Sequence, residues 1–137
     1  MPFPISRRQS LHLEGVSHGS TPIPMGSRIA NVIYTSGISG IDRATSKLAL
    51  DAAAQARHAF LNLRDLLASA GSGLEDVIRL TVYLKSETSR QHVNEHWLAC
   101  FPDPGSRPAR HILMYELQHG MEIQLEAICV IQKSEDD

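Results

Sequence analysis

Apolar and polar residues follow two different periods along the chain, and these predict helices and strands in turn. Apolar residues recur every three or four positions from Asp51 to Ala70, the pattern of a helix with one face on a sheet. This stripe consists of Ala52, Ala56, Phe60, Leu63, Leu67 and Ala70. Gly71 follows directly and is a favourable residue for ending a helix. A second helix is predicted from about Ser89 to Cys100, with Val93 and Trp97 facing inward.

Alternation with a period of two predicts the strands. In residues 77–85 the apolar side chains share one face, and the polar ones share the other with Tyr83. Further strands are predicted at Leu11–Val16, at Ile29–Gly37, and at about 110–117 and 121–131. The last two are joined around His119 and Gly120, so we expect them to pair as a hairpin.

These elements predict the order β-β-α-β-α-β-β, which is typical of the α+β class. Two helices are expected on one face of a mostly antiparallel sheet. The whole chain, residues 1–137, is expected to form a single domain, with residues 1–10 loose because they are polar and lack periodicity.

The last predicted strand points to an assembly. One face of it is wholly apolar and would lie toward the helices, and the other begins with Glu122, Gln124 and Glu126 but ends in Ile128 and Val130. With helices on only one side, this half-apolar second face would be exposed unless another subunit covered it. We therefore expect a homo-oligomer.

Composition excludes several classes of partner. The 137 residues contain 13 Lys and Arg against 15 Asp and Glu, a net charge of -2, and only three Phe, three Tyr and one Trp. This favours neither a nucleic-acid groove nor an anionic membrane surface. No apolar run is long enough to span a bilayer. The first residues contain no apolar core of a signal peptide, and the two cysteines are predicted to be reduced thiols. We therefore expect a cytoplasmic protein.

Arg110 and Glu126 are the strongest candidates for chemistry. The arginine lies where a Pro-containing loop becomes a strand, and its guanidinium suits a carboxylate. The glutamate interrupts an otherwise apolar run. In the expected hairpin, position 110 falls opposite about 128, close enough for both side chains to share a cavity. A plain ion pair at an interface fits the same spacing equally well.

Metal and cysteine chemistry have weaker support. His92-Val93-Asn94-Glu95-His96 matches H-x-x-E-H, but a zinc site needs a third ligand, and solvated helix histidines explain the spacing. Neither Cys100 nor Cys129 has the cationic neighbour or helix N-terminus that activates a thiol. We therefore expect no metal and no cysteine nucleophile.

A series of motifs in order resembles the Rid family (YjgF/reactive intermediate deaminase). They are I-A-N-V-I-Y-T-S-G, F-L-N-L-R-D-L-L-A-S-A-G, L-E-D-V-I-R-L-T-V-Y-L-K, V-N-E-H-W, F-P, R-P-A-R and Q-L-E-A-I, between about Ile29 and Ile131. The resemblance implies a chorismate-mutase-like fold and a homotrimer with clefts between subunits. It also implies cofactor-free hydrolysis of enamines and imines such as 2-aminoacrylate to 2-keto acids and ammonia.

The resemblance also assigns roles to single residues. Arg110 matches the family arginine that binds the substrate carboxylate, and Glu126 matches the acid that handles the attacking water. Asn94 matches a helix asparagine of the cleft, and the backbone of Gly37 borders it.

Three positions of the expected pocket depart from the family. Ile38 and Ile112 stand where the deaminating branch commonly has glutamine and cysteine, and Ile23 or Pro24 replaces a frequent tyrosine. The pocket wall therefore differs, although Ile38 and Ile112 are still expected to contact the substrate. A protein that binds a small carboxylate in this cleft without turning it over is the alternative function.

Overall fold

The fold is described by a computed structural model covering residues 6–132. Before the first helix come six strands: β1 (Arg8–Leu11), β2 (Gly26–Ile29), β3 (Val32–Thr35), β4 (Ile38–Ser39), β5 (Ile41–Asp42) and β6 (Lys47–Leu48). They are followed by α1 (Ala52–Ser69), β7 (Val77–Leu84), α2 (Arg90–Cys100), β8 (Ala109–Met114) and β9 (Ile123–Val130). Short 3-10 turns at Leu74–Asp76 and Glu87–Ser89 precede β7 and α2.

One sheet organises the described residues, with strand order β1-β2-β3-β9-β7-β8 and β4 also pairing with β9. Every pairing is antiparallel except that of β7 with β8. Both helices pack on the same face of this sheet. The predicted α+β class, with two helices on one face of a mostly antiparallel sheet, is confirmed.

The predicted hairpin of the last two strands is wrong. β7 lies between them, because β8 pairs with it in parallel on one side and β9 pairs with it antiparallel on the other. The physical reason is α2. A helix between two consecutive strands returns the chain to the same end of the sheet, and so permits a parallel pair. Residues 115–122 then carry the chain past β7 instead of making a tight turn.

The core lies between the helices and the sheet. Buried residues of α1 include Phe60, Leu63 and Leu67, and they pack against Leu80 of β7 and Leu125 of β9. Each such side chain contributes roughly 1.5–3 kcal/mol relative to an exposed one. No helix in residues 6–132 is long and apolar enough to cross a membrane.

The ends of α1 follow from local chemistry. The Asp51 carboxylate accepts a hydrogen bond from the Ala54 N–H at 2.8 Å, which caps the helix N-terminus. At the other end Gly71 has a φ of +76°, a left-handed conformation that glycine adopts without strain. The predicted helix and its stop are confirmed to within one residue.

The beginning of the chain is more ordered than predicted. Arg8–Leu11 forms β1 and pairs with β2, so the expectation of a loose segment is wrong for residues 8–10. The prediction for residues 1–5 lies outside the described residues. The strand expected at Leu11–Val16 is instead a turn closed by a bridge between Leu13 and Val16.

Two further departures have a visible local cause. The segment Ile29–Gly37 is a hairpin turn followed by β3, since Ala30 adopts a φ of +53°. In β7 an irregularity between Val77 and Arg79 shifts the alternation. Ile78 is therefore 57% exposed, and Val77 takes its place in the core.

The sheet face opposite the helices carries exposed apolar side chains. Tyr34 and Tyr115 are 59% and 62% exposed, and Leu113 and Val130 are each 41% exposed. The half-apolar second face expected from β9 is therefore present. It is the surface that the predicted homotrimer would use, and the trimer stays a prediction.

Candidate active site

Arg110 lies on the edge strand β8, on the face covered by the helices. Its Nη1 donates to Asn94 Oδ1 of α2 at 2.8 Å, and its guanidinium carbon is 4.9 Å from the centroid of the Trp97 ring. Burial, and then the charge of Arg90, hold the pKa of Arg110 below its ordinary value. The arginine still stays protonated, because its ordinary pKa lies far above the biological pH range.

The guanidinium of Arg110 makes no salt bridge with a carboxylate among the described residues. Asn94 accepts a hydrogen bond from one of the five guanidinium N–H donors. The face of the Trp97 ring attracts the positive charge but accepts no hydrogen bond from the other four donors. Arg110 is thus oriented and partly desolvated while most of its fork is unused. That is the state of a group that binds an external anion.

Glu126 lies on the opposite face of the sheet, in the middle of β9. The Tyr83 hydroxyl donates to Glu126 Oε1 at 2.7 Å. That hydrogen bond, followed by burial, raises the pKa of Tyr83, so the phenol stays a donor throughout the neutral range. A cavity of about 320 Å³ borders Glu126 and is also lined by Thr35, Thr81 and Arg79. A carboxylate held by one oxygen in an open cavity can accept a proton through the other.

The register shows why Arg110 and Glu126 do not meet within one chain. Arg110 is the neighbour of Leu80, whose side chain is buried under the helices, and Leu80 is in turn the neighbour of Ala127. Glu126 is instead level with Thr81. Because successive side chains of a strand point to opposite faces, the two candidates are on different sides of the sheet. The predicted cavity shared within one chain is therefore wrong, and an ion pair at an interface between chains stays a prediction.

The other predicted site residues divide between the same two sides. Asn94 and Ile112 lie on the helix side with Arg110, and Ile112 also packs against the core. Gly37 lies against the Gln124 side chain, on the face of Glu126. Ile38 is fully buried in the core beside Leu125, so the expected contact of its side chain with a substrate is wrong.

Three functional neighbours escaped the sequence analysis. Tyr83 holds Glu126, Trp97 lies under Arg110, and the Nε2 of His18 donates to the Gly37 carbonyl at 3.0 Å. The alternation of β7 had already put Tyr83 on the polar face, so its signal was present. Nothing in the spacing of His18 indicated a contact with a residue 19 positions later.

Metal and thiol chemistry find no support around these residues. His96 of the H-x-x-E-H motif stacks on Phe60 with ring centroids 5.5 Å apart, and burial lowers its pKa. Within residues 6–132 no three His, Cys, Asp or Glu side chains are grouped closely enough to hold a metal ion. Burial raises the pKa of both thiols, to about 12 for Cys129, which makes them poor nucleophiles.

Comparison with known proteins gives matches over most of the chain. Residues 24–131 match the family model described as Endoribonuclease L-PSP. The chain is 31% identical to the 2-iminobutanoate/2-iminopropanoate deaminase of Escherichia coli over 111 residues, 80% of this chain and 87% of that protein. It is 30% identical to the 3-aminoacrylate deaminase RutC of Acinetobacter baylyi over 105 residues, 76% of this chain and 82% of that one.

The fold matches as well. The crystal structure of RidA from an Antarctic Psychrobacter superimposes with a TM-score of 0.81 at 27% identity, covering 90% of this chain and 99% of that one. The YjgF gene product of Escherichia coli gives 0.79 at 28% identity, covering 89% and 98%. Sequence and fold agree, and the chain therefore belongs to the Rid family.

Proposed function

We propose that this protein hydrolyses 2-imino acids, and the enamines in equilibrium with them, to 2-keto acids and ammonia. Two relatives that share about 30% of its residues are named as deaminases of 2-iminobutanoate or 2-iminopropanoate and of 3-aminoacrylate. Both names describe a small carboxylate with a carbon–nitrogen bond to be cleaved by water. On one side of the sheet Arg110 can bind the carboxylate, and on the other side Glu126 can act on the water.

The observation that carries the proposal is the state of Arg110. Asn94 and Trp97 orient its guanidinium, yet no salt bridge satisfies it among the described residues. A substrate carboxylate can take two parallel hydrogen bonds from the free edge of the fork. These bonds would fix the position of the imine carbon relative to the rest of the cleft.

Glu126 is proposed to handle the water. Its Oε1 is occupied by the Tyr83 hydroxyl, and its second oxygen can accept a proton from water attacking the imine carbon. The water adds to carbon as the C=N double bond opens, and a proton moves to nitrogen. Collapse of the carbinolamine then forms the keto C=O, breaks the C–N bond and releases ammonia. One water is consumed, and no oxidation or reduction takes place.

The opposite-face arrangement supports a site shared between subunits. A small substrate bound to Arg110 of one chain cannot also reach Glu126 of that chain through the sheet. Arg110 lies on an edge strand, and Glu126 lies on the face that exposes Tyr34 and Leu113. In the proposed homotrimer, that face of one subunit would receive the β8 edge of the next, which would bring the two groups to one cleft.

The family description names an endoribonuclease, but the charge of this chain favours a small substrate. Its net charge of -2 provides no basic track for a phosphate backbone. A single oriented arginine fits one carboxylate better than a polymer.

The test is the rate of imine hydrolysis. An L-amino-acid oxidase with catalase would generate 2-iminopropanoate from alanine, and semicarbazide would capture the imine that escapes hydrolysis. The protein should reduce this capture, and Arg110→Ala should lower kcat/KM on the order of 100-fold, because two charge-assisted hydrogen bonds are lost. Arg64→Ala is the matched control, since Arg64 is an exposed residue of α1 whose side chain contacts Asp65.

If semicarbazide captured equal amounts of imine with and without the wild-type protein, the result would contradict the proposed deaminase function. The non-catalytic alternative would then be distinguished by calorimetry with 2-oxobutanoate. Binding that depends on Arg110 without any turnover would favour a carboxylate-binding protein. Full activity in Arg110→Ala would reject the role of the arginine in either function.

A further inference from the structure

A second cavity, of about 370 Å³, lies where β4 pairs with the start of β9. It differs from the cavity at Glu126 in its lining, which is mainly apolar. The apolar contributors are Val16, Ile23, Met25, Ile41, Leu48 and Met121. This volume and this character are within the ordinary range of small-molecule pockets.

The apolar cavity borders the Glu126 face through Gln124. The side chains of Gln124 and Glu126 point to the same side of β9, about 7 Å apart along the strand. Gln124 lines the apolar cavity, as does Gly37 on its other side. A molecule whose reacting carbon lay near Glu126 could thus direct a substituent along β9 toward Gln124 and the apolar cavity.

The border between the two cavities is held in place. A Cβ at position 37 would lie 2.5 Å from Gln124 Nε2, so a larger residue there would displace the glutamine amide from its present position. On the far side, His18 Nε2 donates to the Gly37 carbonyl at 3.0 Å. The Nδ1 of His18 is buried and has no hydrogen-bond partner among the described residues. The loop bearing His18 is therefore tied to the cavity wall through the Gly37 carbonyl.

We propose that this cavity receives the side chain of the substrate, so that the protein prefers 2-imino acids with apolar side chains larger than methyl. The inference rests on the proposed deaminase function and adds the substrate class. The imine of alanine would leave the cavity empty, whereas those of norvaline, leucine and methionine would fill part of it. A charged side chain would be disfavoured, because most of the exposed lining is apolar and cannot replace its hydration.

The size of the expected preference follows from apolar transfer. Each buried methylene should raise kcat/KM about threefold to fourfold, until the chain outgrows the cavity. From the imine of alanine to that of norvaline the increase should be about tenfold.

The experiment measures kcat/KM for imines generated from alanine, 2-aminobutyrate, norvaline, leucine and glutamate. In parallel, calorimetry measures binding of the corresponding 2-keto acids, which requires no turnover. Ile23 lines the cavity and is 48% exposed, so Ile23→Trp should narrow the cavity. The ratio of kcat/KM for the norvaline imine to kcat/KM for the alanine imine should then fall by at least threefold. Leu50→Trp is the control, because Leu50 is fully exposed and should leave the ratio unchanged.

The outcomes separate this inference from the function on which it rests. If kcat/KM rises along the series of apolar imines and Ile23→Trp flattens this rise, the result would support the cavity. Turnover of every imine at one rate, or a preference for the glutamate imine, would overturn the cavity and leave the deaminase standing. A rise in 2-keto acid affinity without turnover would support the cavity and overturn the deaminase. The absence of both turnover and binding would overturn the cavity and the deaminase function together.

Discussion

Arg110 and Glu126 lie on two strands that both pair with β7, yet the sheet gives them opposite surroundings. The arginine is at an edge, enclosed by a helix asparagine and an indole ring. The glutamate is in the middle of an open face, and its nearest hydrogen-bond partner is a phenol. Each region fixes one charged group firmly and leaves part of it unused. The difference teaches that neither region is a complete site within one chain, and the proposed homotrimer would supply the missing half of each from a second copy.

The largest effect should come from Glu126→Gln. The amide keeps the size of the side chain and can still accept from Tyr83, but it cannot take a proton from water. We expect kcat to fall by roughly 10²–10⁴-fold with little change in the affinity for 2-oxobutanoate, which depends on the Arg110 region. Comparing kcat with the calorimetric Kd checks this division of labour. A weakened Kd with an intact kcat would reverse the two roles.

Mixing two inactive variants tests whether the regions come from different chains. Arg110→Ala and Glu126→Gln would be unfolded together, refolded at equal ratio and assayed for imine hydrolysis. In a random trimer about a quarter of the shared sites contain both native groups, so activity should return to about a quarter of the native value. Each variant refolded alone is the control. No recovery, in mixtures shown to contain both chains, would contradict a site built across subunits.

A smaller effect is expected from Asn94→Ala, which acts on the Arg110 region alone. The guanidinium loses the acceptor that orients it but keeps its charge and the Trp97 ring. Carboxylate affinity should fall about 3–10-fold, and kcat should change less. Titration with 2-oxobutanoate measures the affinity. His92→Ala is the matched control on the same helix, and a Kd equal to the native one in Asn94→Ala would show that Trp97 orients the arginine without help.

The smallest effect should come from Tyr83→Phe in the Glu126 region. It removes one hydroxyl, and with it the hydrogen bond to Oε1, while keeping the ring against Tyr115. We expect kcat to fall about 2–10-fold at an unchanged KM, because the carboxylate loses its orientation and not its charge. Steady-state kinetics check this. A parallel loss in thermal stability and in KM would mean that Tyr83 only supports the fold.

The sequence predicted best where one local period decided the outcome. The stripe of α1 and the alternation of β9 each depend on burial of one face, and both are confirmed. The Rid resemblance likewise rested on short motifs that are recognised locally along the chain. Pairing between distant strands has no such local signal. A helix before β8 was compatible with a parallel strand, and the short link through His119 looked like a hairpin.

The candidate site was harder to predict for the same reason. Arg110 stood out at the junction of a Pro-containing loop and a strand, and Glu126 stood out as a charge in an apolar run, but their faces depended on a register that spacing does not encode. Ile38 looked like part of a pocket wall because it stands where the deaminating branch commonly has glutamine, but its side chain points into the core. Tyr83 and Trp97 were placed on the correct faces, but their partners come from other strands and helices.

The contact between Gly37 and Gln124 limits how this protein can diversify. A side chain at position 37 would have to displace the glutamine amide, so a mutation there would also disturb position 124. Positions 23 and 48 line the same cavity from a loop and from β6. Members of the lineage that acquire new substrates should therefore vary at these two positions before they vary at position 37.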